Sequence, residues 1–174
     1  MKHLTIRQAL ESDIQTIQRI GETSYREHFS HLWTPDGISQ FLNADFAVEN
    51  LRITLSTPSK HLWLLAYEKD DRPVGFAKIN WSSPDPIQGK EGAELQKIYF
   101  LKSCVSRGYG GELLSYIVAS AKERSQPLIW LDVLKNNTGA QHFYQRSGFR
   151  PLGHIPFKTD ICDVGMIVMA QDIA

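Results

Sequence analysis

Cysteine is scarce: the 174 residues contain two, Cys104 and Cys162, too few and too far apart for a disulfide framework or a zinc knuckle. Neither HExxH nor CxxC is present, so reduced thiols and no metal are expected. A charge excess of either sign is lacking as well. Nineteen Lys and Arg balance nineteen Asp and Glu, which leaves no global field to draw the chain to nucleic acid or anionic lipid. Long hydrophobic runs are missing too. LWLLAY at 62–67 is far short of a bilayer span, and MKHLTIRQA lacks the apolar region of a signal peptide. These absences predict no nucleic-acid partner, no membrane association and a cytoplasmic location. No internal repeat or low-complexity tract interrupts the chain.

What is present suits one globular domain over 1–174, with 42% hydrophobic and 22% charged residues. LTIRQA at 4–9 reads as a strand. Ser12 and Asp13 signal a helix start, and Ile14, Ile17, Ile20 and Tyr25 keep helical spacing to about residue 28. Thr34 and Pro35 open a second helix, and FAVENLRITL a third. HLWLLAYEKDDRPVGFAKINW reads as a hairpin. SSPDPIQGKEG, with two prolines and two glycines, reads as a mobile loop able to cover a site. Then come a strand at 93–101, a glycine-rich turn running into a helix, and a strand at 127–134. A helix over TGAQHFYQRS, capped by Asn136 or Asn137 and ended by Gly148, precedes two closing strands, FRPLGHIPF and DVGMIVMAQ. The order predicts an α/β fold with a mixed sheet.

The most informative segment is LQKIYFLKSCVSRGYGGELL. A strand reaches a turn containing Gly108, Gly110 and Gly111, followed by Leu113, Leu114, Ile117 and Val118 at helical spacing. Such a turn leaves backbone N–H groups unpaired at a positive helix end, where a phosphate can approach if no side chain blocks it. On its own, the turn is equally a plain strand-to-helix connection. A P-loop is excluded because no Lys-Ser or Lys-Thr ends the turn, and a GxGxxG turn would need a glycine at Leu113.

VSRGYG resembles the [Q/R]xxGxG/A pyrophosphate loop of the Gcn5-related N-acetyltransferase (GNAT) superfamily, with Val105 at the position that is polar in the family. VLKNNTGAQHFYQRSGF resembles the family segment NxxAxxFYxxxGF through Asn137, Ala140, Phe143, Tyr144, Gly148 and Phe149. The likeness extends over nearly the whole chain, and SYREHFSHLWTPDGISQFL with FAVENL resembles the bacterial spermidine and spermine acetyltransferase subgroup, on scattered positions such as Phe29, Phe41 and Leu42. The resemblance implies a GNAT-like acyl-CoA N-acyltransferase fold, with a mostly antiparallel sheet splayed between strands 4 and 5 and flanked by helices. It implies acetyl-CoA as co-substrate. Its pantetheine arm would lie along Ile98, Tyr99 and Phe100, and the amides of Ser106, Arg107, Gly108, Tyr109, Gly110 and Gly111 would hold the pyrophosphate. Asn137 would line the slot, backbone N–H groups of the fourth strand would steady the oxyanion, and Tyr144 would protonate the departing thiolate.

An alkylamine of pKa about 10.4 is protonated at pH 7, and its free base costs about 4–5 kcal/mol to reach. A proton acceptor is therefore expected. Strand alternation puts Glu94, Gln96, Ile98 and Phe100 on one face, which aims Glu94 at the slot as base, directly or through water. Gln96 stands where several relatives carry an acid and cannot serve as one. His28 and His31 are at the end of the first helix, within reach of substrate or merely at the surface. His142 is expected to face solvent and Cys104 to carry no acyl group. Trp63, Trp81 and Trp130 read as packing, while Trp33 falls where relatives build the acceptor pocket. Glu22, Glu27, Asp36 and Asp45 could attract a polycation or simply be solvated. The reading is transfer to a small amine, a polyamine first and a protein N-terminus or lysine second. Val105 and Gln96 motivate a different class of answer, a non-catalytic acetyl-CoA sensor. A homodimer is compatible with the family resemblance.

Overall fold

The structure, a computed structural model, describes residues 3–174. Seven strands form one sheet: β1 (Thr5–Gln8), β2 (His61–Tyr67), β3 (Pro73–Pro84), β4 (Glu91–Phe100), β5 (Leu128–Leu134), β6 (Arg150–Ile155) and β7 (Met166–Asp172). Their spatial order is β1-β2-β3-β4-β5-β7-β6. Only β4 and β5 pair in parallel, because α4 (Tyr109–Glu123) carries the chain back between them. The sheet is mixed and mostly antiparallel, as the sequence predicts.

The helices α1 (Ile14–Phe29), α2 (Pro35–Asp45) and α3 (Val48–Leu55) precede most of the sheet. They cover one face, where Ile17, Ile20, Leu42, Phe46 and Leu51 pack on Trp63, Leu65 and Phe76. The other face carries α4 and α5 (Thr138–Arg146). There Leu113, Leu114 and Ile117, spaced for one helical face, meet Ala77, Ile79, Leu95, Ile129 and Leu131. The predicted starts hold locally. Thr34 accepts from the Gly37 N–H with Pro35 at the first position, and Asn137, not Asn136, caps α5 by accepting from the Ala140 N–H. Gly148, at φ +96°, ends α5 in a conformation that penalises a Cβ.

The segment expected to be a mobile cover is instead a closed turn. Ser82–Pro84 and Glu91–Gly92 belong to β3 and β4, and Asp85, 2% exposed, accepts the N–H groups of Ile87, Gln88 and Lys90. Burial pushes the Asp85 carboxyl pKa up, but these donors outweigh it and hold it below the usual range. The turn packs on β6, with Ile87 against Gly153, and contributes no residue to the cleft described below. Asp85→Ala is expected to cost about 2 kcal/mol by stranding buried N–H groups. Because the folded pKa is depressed, the Asp85 contribution is present above the unfolded carboxylate pKa and is lost as pH falls through the folded value. Denaturant melts across pH 2–7 check this, with coenzyme A affinity expected to stay unchanged.

Candidate active site

Β4 and β5 are paired only at Ala93↔Ile129 and Glu94↔Trp130. Beyond that point they part around a cleft of about 460 Å³ that passes through the sheet. Ile98 and Phe100 line it from β4, Leu131, Asp132 and Val133 from β5, Tyr25 and His28 from α1, and Asn137 and Tyr144 from α5. The Leu101 N–H bonds back to Val74 on β3. Antiparallel alternation therefore turns the N–H and C=O of Ile98 and Phe100 into the gap, and those of Tyr99 toward β3. Of the three residues expected to run along a pantetheine arm, Ile98 presents free strand edge, Phe100 a free N–H with its carbonyl already engaged, and Tyr99 its ring. The Phe100 carbonyl accepts from His28 Nε2 at 3.1 Å. His31 also reaches the cleft.

The glycine turn follows the end of β4, whose last residue Phe100 lines the cleft, although no residue of the turn itself is in the lining. Gly108 caps α4 at φ +80°, and Ser106 is also left-handed at +66°. Within the described residues, no hydrogen bond uses the backbone N–H groups from Ser106 to Gly111, so a row of donors points outward at a positive helix end. A Cβ at Gly108 or Gly111 would meet nothing within 4 Å. The space is open for a ligand. This set of donors fits a pyrophosphate, and the free edge at Ile98 and Phe100 fits an amide-bearing arm added as a strand. The side chains of Arg107 and Tyr109 turn away from the loop to Glu68 Oε1, at 3.0 and 2.7 Å, while Arg72 grips the Oε2 of the same carboxylate. The Tyr109 hydrogen bond and Arg72 hold the Glu68 carboxyl below its usual range. That cluster ties the turn to the β2–β3 hairpin. Val105 is exposed. Gly108→Ala, forced into a left-handed conformation, is expected to lose about 1–2 kcal/mol of local stability. It should also bind coenzyme A more weakly, as calorimetry would show beside a thermal melt.

The acceptor side departs from simple alternation. A bulge at Gln96 shifts the register from Lys78↔Lys97 to Ile79↔Leu95. Leu95, Ile98 and Phe100 consequently share the α4 face, and Glu94 faces the opposite side. Glu94 is not among the cleft-lining residues; its Oε2 accepts from Asn80 Nδ2 at 2.8 Å and from Ser83 Oγ at 3.1 Å. Gln96 does line the cleft. The carboxylate that lines it is Asp132, which sequence reasoning passed over because it lies inside the apolar run LIWLDVL. A charged residue inside an otherwise apolar strand was the available signal. Surrounding protein raises the Asp132 carboxyl pKa, Glu94 raises it further, and Lys97 pulls it back.

Tyr144 is buried, with its ring against Phe143 and Phe149 at 5.2 and 5.6 Å. Its hydroxyl makes no hydrogen bond within the described residues. Burial, with Asp132 adding, raises its pKa and keeps the phenol protonated. Trp33 does not line the cleft; it stacks on Phe41 and donates to the Tyr25 hydroxyl, so it supports the wall from behind. Of the acidic residues named for a polycation, Asp45 pairs with Lys97 at 2.6 Å and Glu27 accepts the Lys102 N–H. Glu22 and Asp36 are also absent from the lining. Trp63, Trp81 and Trp130 are buried, His142 is exposed, and Cys104 is buried beside Val74 and Tyr109. Among the described residues, no helix is long and apolar enough to cross a membrane, and no His, Cys, Asp or Glu cluster could hold a metal.

A sheet opened between two parallel strands, a turn of unpaired N–H groups after β4 and a buried phenol without a hydrogen bond together fit a protein that binds a long, phosphate-bearing ligand. The model of the acetyltransferase (GNAT) family matches residues 17–149, and the chain belongs to that family. An uncharacterized N-acetyltransferase from the pepI 3′ region of Lactobacillus delbrueckii subsp. lactis is 26% identical over 152 residues, covering 85% of each chain. An uncharacterized N-acetyltransferase of Mycobacterium tuberculosis is 26% identical over 140 residues, 80% of this chain and 84% of the relative. Among solved structures, the PaiA N-acetyltransferase of Thermoplasma acidophilum in complex with coenzyme A superposes with a TM-score of 0.78 at 19% identity, covering 99% of both chains. A GCN5-related N-acetyltransferase of Rhodopseudomonas palustris superposes at 0.76 and 17% identity, covering 99% of this chain and 97% of that one. The chain is an N-acetyltransferase with acetyl-CoA as co-substrate.

Proposed function

We propose that the cleft transfers the acetyl group to a small primary amine, with Asp132 as proton acceptor and Tyr144 as proton donor. One observation carries this reading: an elevated carboxylate and an unbonded phenol line the same cleft, close enough for Asp132 to raise the Tyr144 pKa. The N–H groups from Ser106 to Gly111 hold the donor's pyrophosphate, and the β4 edge at Ile98 and Phe100 with Asn137 at the start of α5 positions the rest. The amine nitrogen attacks the thioester carbonyl carbon, a C–N bond forms and the C–S bond breaks. Asp132 takes the proton released by nitrogen, and Tyr144 gives one to the leaving sulfur. The cleft-facing N–H groups of β4 steady the charge that develops on the carbonyl oxygen. Glu94 acts on Asp132 from outside the cleft by raising its basicity.

A polyamine is the most cationic acceptor in this class, and Asp132 supplies one carboxylate for it. Past Gln96, however, the charged side chains are Lys97, Lys78 and Asp45, and Asp45 is taken up by Lys97. Thiol release from acetyl-CoA across a panel of amines, diamines and peptides tests the reading. Amine-dependent release supports transfer. Tight coenzyme A binding with no release across the panel would make the protein a sensor instead, and preferential use of peptides would make it a protein acetyltransferase.

A further inference from the structure

A second pocket of about 260 Å³ lies under α2 and α3, and Gln96 lines both it and the cleft. Its floor holds Lys78 and Lys97, which are register partners on β3 and β4. Lys97 is neutralised by Asp45. Lys78 is half-buried over the Trp63 ring at 5.5 Å and has neither an ion pair nor a hydrogen bond within the described residues. The nearby carboxylate of Glu94 is engaged by Asn80 and Ser83. An ammonium held among protein atoms without a counterion is disfavoured, and an anion entering the pocket relieves it. Burial and then Lys97 lower the Lys78 pKa, and the carboxylates of Glu94 and Asp45 pull it back without restoring it.

Resting on the transfer reading above, we infer that this pocket is the carboxylate subsite of the acceptor, so that the substrate is an amino acid acetylated at an amine remote from its carboxylate. Asp132 stands level with Gln96, two residues beyond the Glu94↔Trp130 pair, and Lys78 lies one strand beyond Lys97. Asp132 on β5 and Lys78 on β3 thus stand two strands apart, at least about 10 Å between backbones because β4 and β5 have parted at this level. An ω-amino acid spans that distance and an α-amino acid does not.

The test compares 6-aminohexanoate, hexylamine and 1,5-diaminopentane as acceptors at equal amine concentration. The acid is expected to be preferred in kcat/KM about tenfold over hexylamine and by more over the diamine. Lys78→Met should bring the acid to near parity with hexylamine, and Lys78→Arg should restore most of the preference; coenzyme A affinity of the same preparations reports folding. Equal or better use of hexylamine or the diamine by the unaltered protein overturns the inference and leaves the acetyltransferase reading standing. A separate calorimetric titration of the coenzyme A-saturated protein with hexanoate needs no turnover. Binding weakened about tenfold by Lys78→Met supports the subsite, and affinity indifferent to Lys78 overturns it even if no acceptor is acetylated.

Discussion

Replacing Asp132 by Asn is expected to lower kcat/KM for the acceptor about 100- to 1,000-fold at pH 7, within the range of general-base contributions. The same change should raise thermal stability only slightly, because the side chain is open to solvent in the cleft and its charge is partly screened. The two effects share one cause. Asp132 is open to the cleft from within an otherwise buried apolar strand, where the surrounding protein and then the charge of Glu94 disfavour its ionised form. A carboxylate so destabilised is a stronger base than an ordinary one, and its folded pKa lies above its unfolded value. The folded state therefore loses stability as pH rises from the unfolded pKa to the folded one, and the cost persists above it. Asn carries no charge and avoids that cost. The melting-temperature gain should be absent in strong acid, grow through the carboxylate range and level off near neutrality.

The pH–rate profile gives an independent signature. With a working base, kcat/KM is flat between the Asp132 pKa and the amine pKa of about 10.4. Without one, the rate follows the free amine, about one molecule in 2,500 at pH 7, and rises tenfold per pH unit. The variant should then approach the unaltered enzyme at high pH. A parallel loss at every pH, or none, would remove Asp132 as the proton acceptor.

The contrast between Asp132 and Glu94 shows where the sequence is legible and where it is not. Periodicity and punctuation reveal the order of strands and helices, because Ile17, Ile20 and Leu113 sit at helical spacing and Thr34 and Gly148 mark ends whose geometry is local. The glycine turn is readable for the same reason, since a run of unpaired N–H groups after a strand needs only glycines in succession. Facing across a sheet is less secure. One extra residue at Gln96 reverses every side chain on one side of it, and nothing in AELQKIYF announces the bulge. Asp85 was hidden in a different way. Its Pro and Gly neighbours read as a loop, but the carboxylate collects the turn's own N–H groups and closes it. The pocket at Lys78 depends on pairing between residues 19 positions apart on β3 and β4, and no local pattern encodes that juxtaposition.

Tyr144→Phe is expected to lower kcat about 100-fold while leaving coenzyme A affinity within about twofold. The substitution removes one oxygen. The ring keeps its edge contacts with Phe143 and Phe149, so packing against β4 and β5 is preserved. Because the hydroxyl makes no hydrogen bond within the described residues, a merely structural tyrosine would tolerate the change with equal or higher stability. A large fall in kcat with an unchanged melt can then come only from the missing proton. Burial holds the phenol neutral, which keeps a proton available for the proposed donation to sulfur throughout the working pH range. The same exclusion of water disfavours a bare thiolate, so one environment prepares the donor and makes donation necessary. Unchanged turnover in the variant would assign that proton to water and leave Tyr144 as a wall of the cleft.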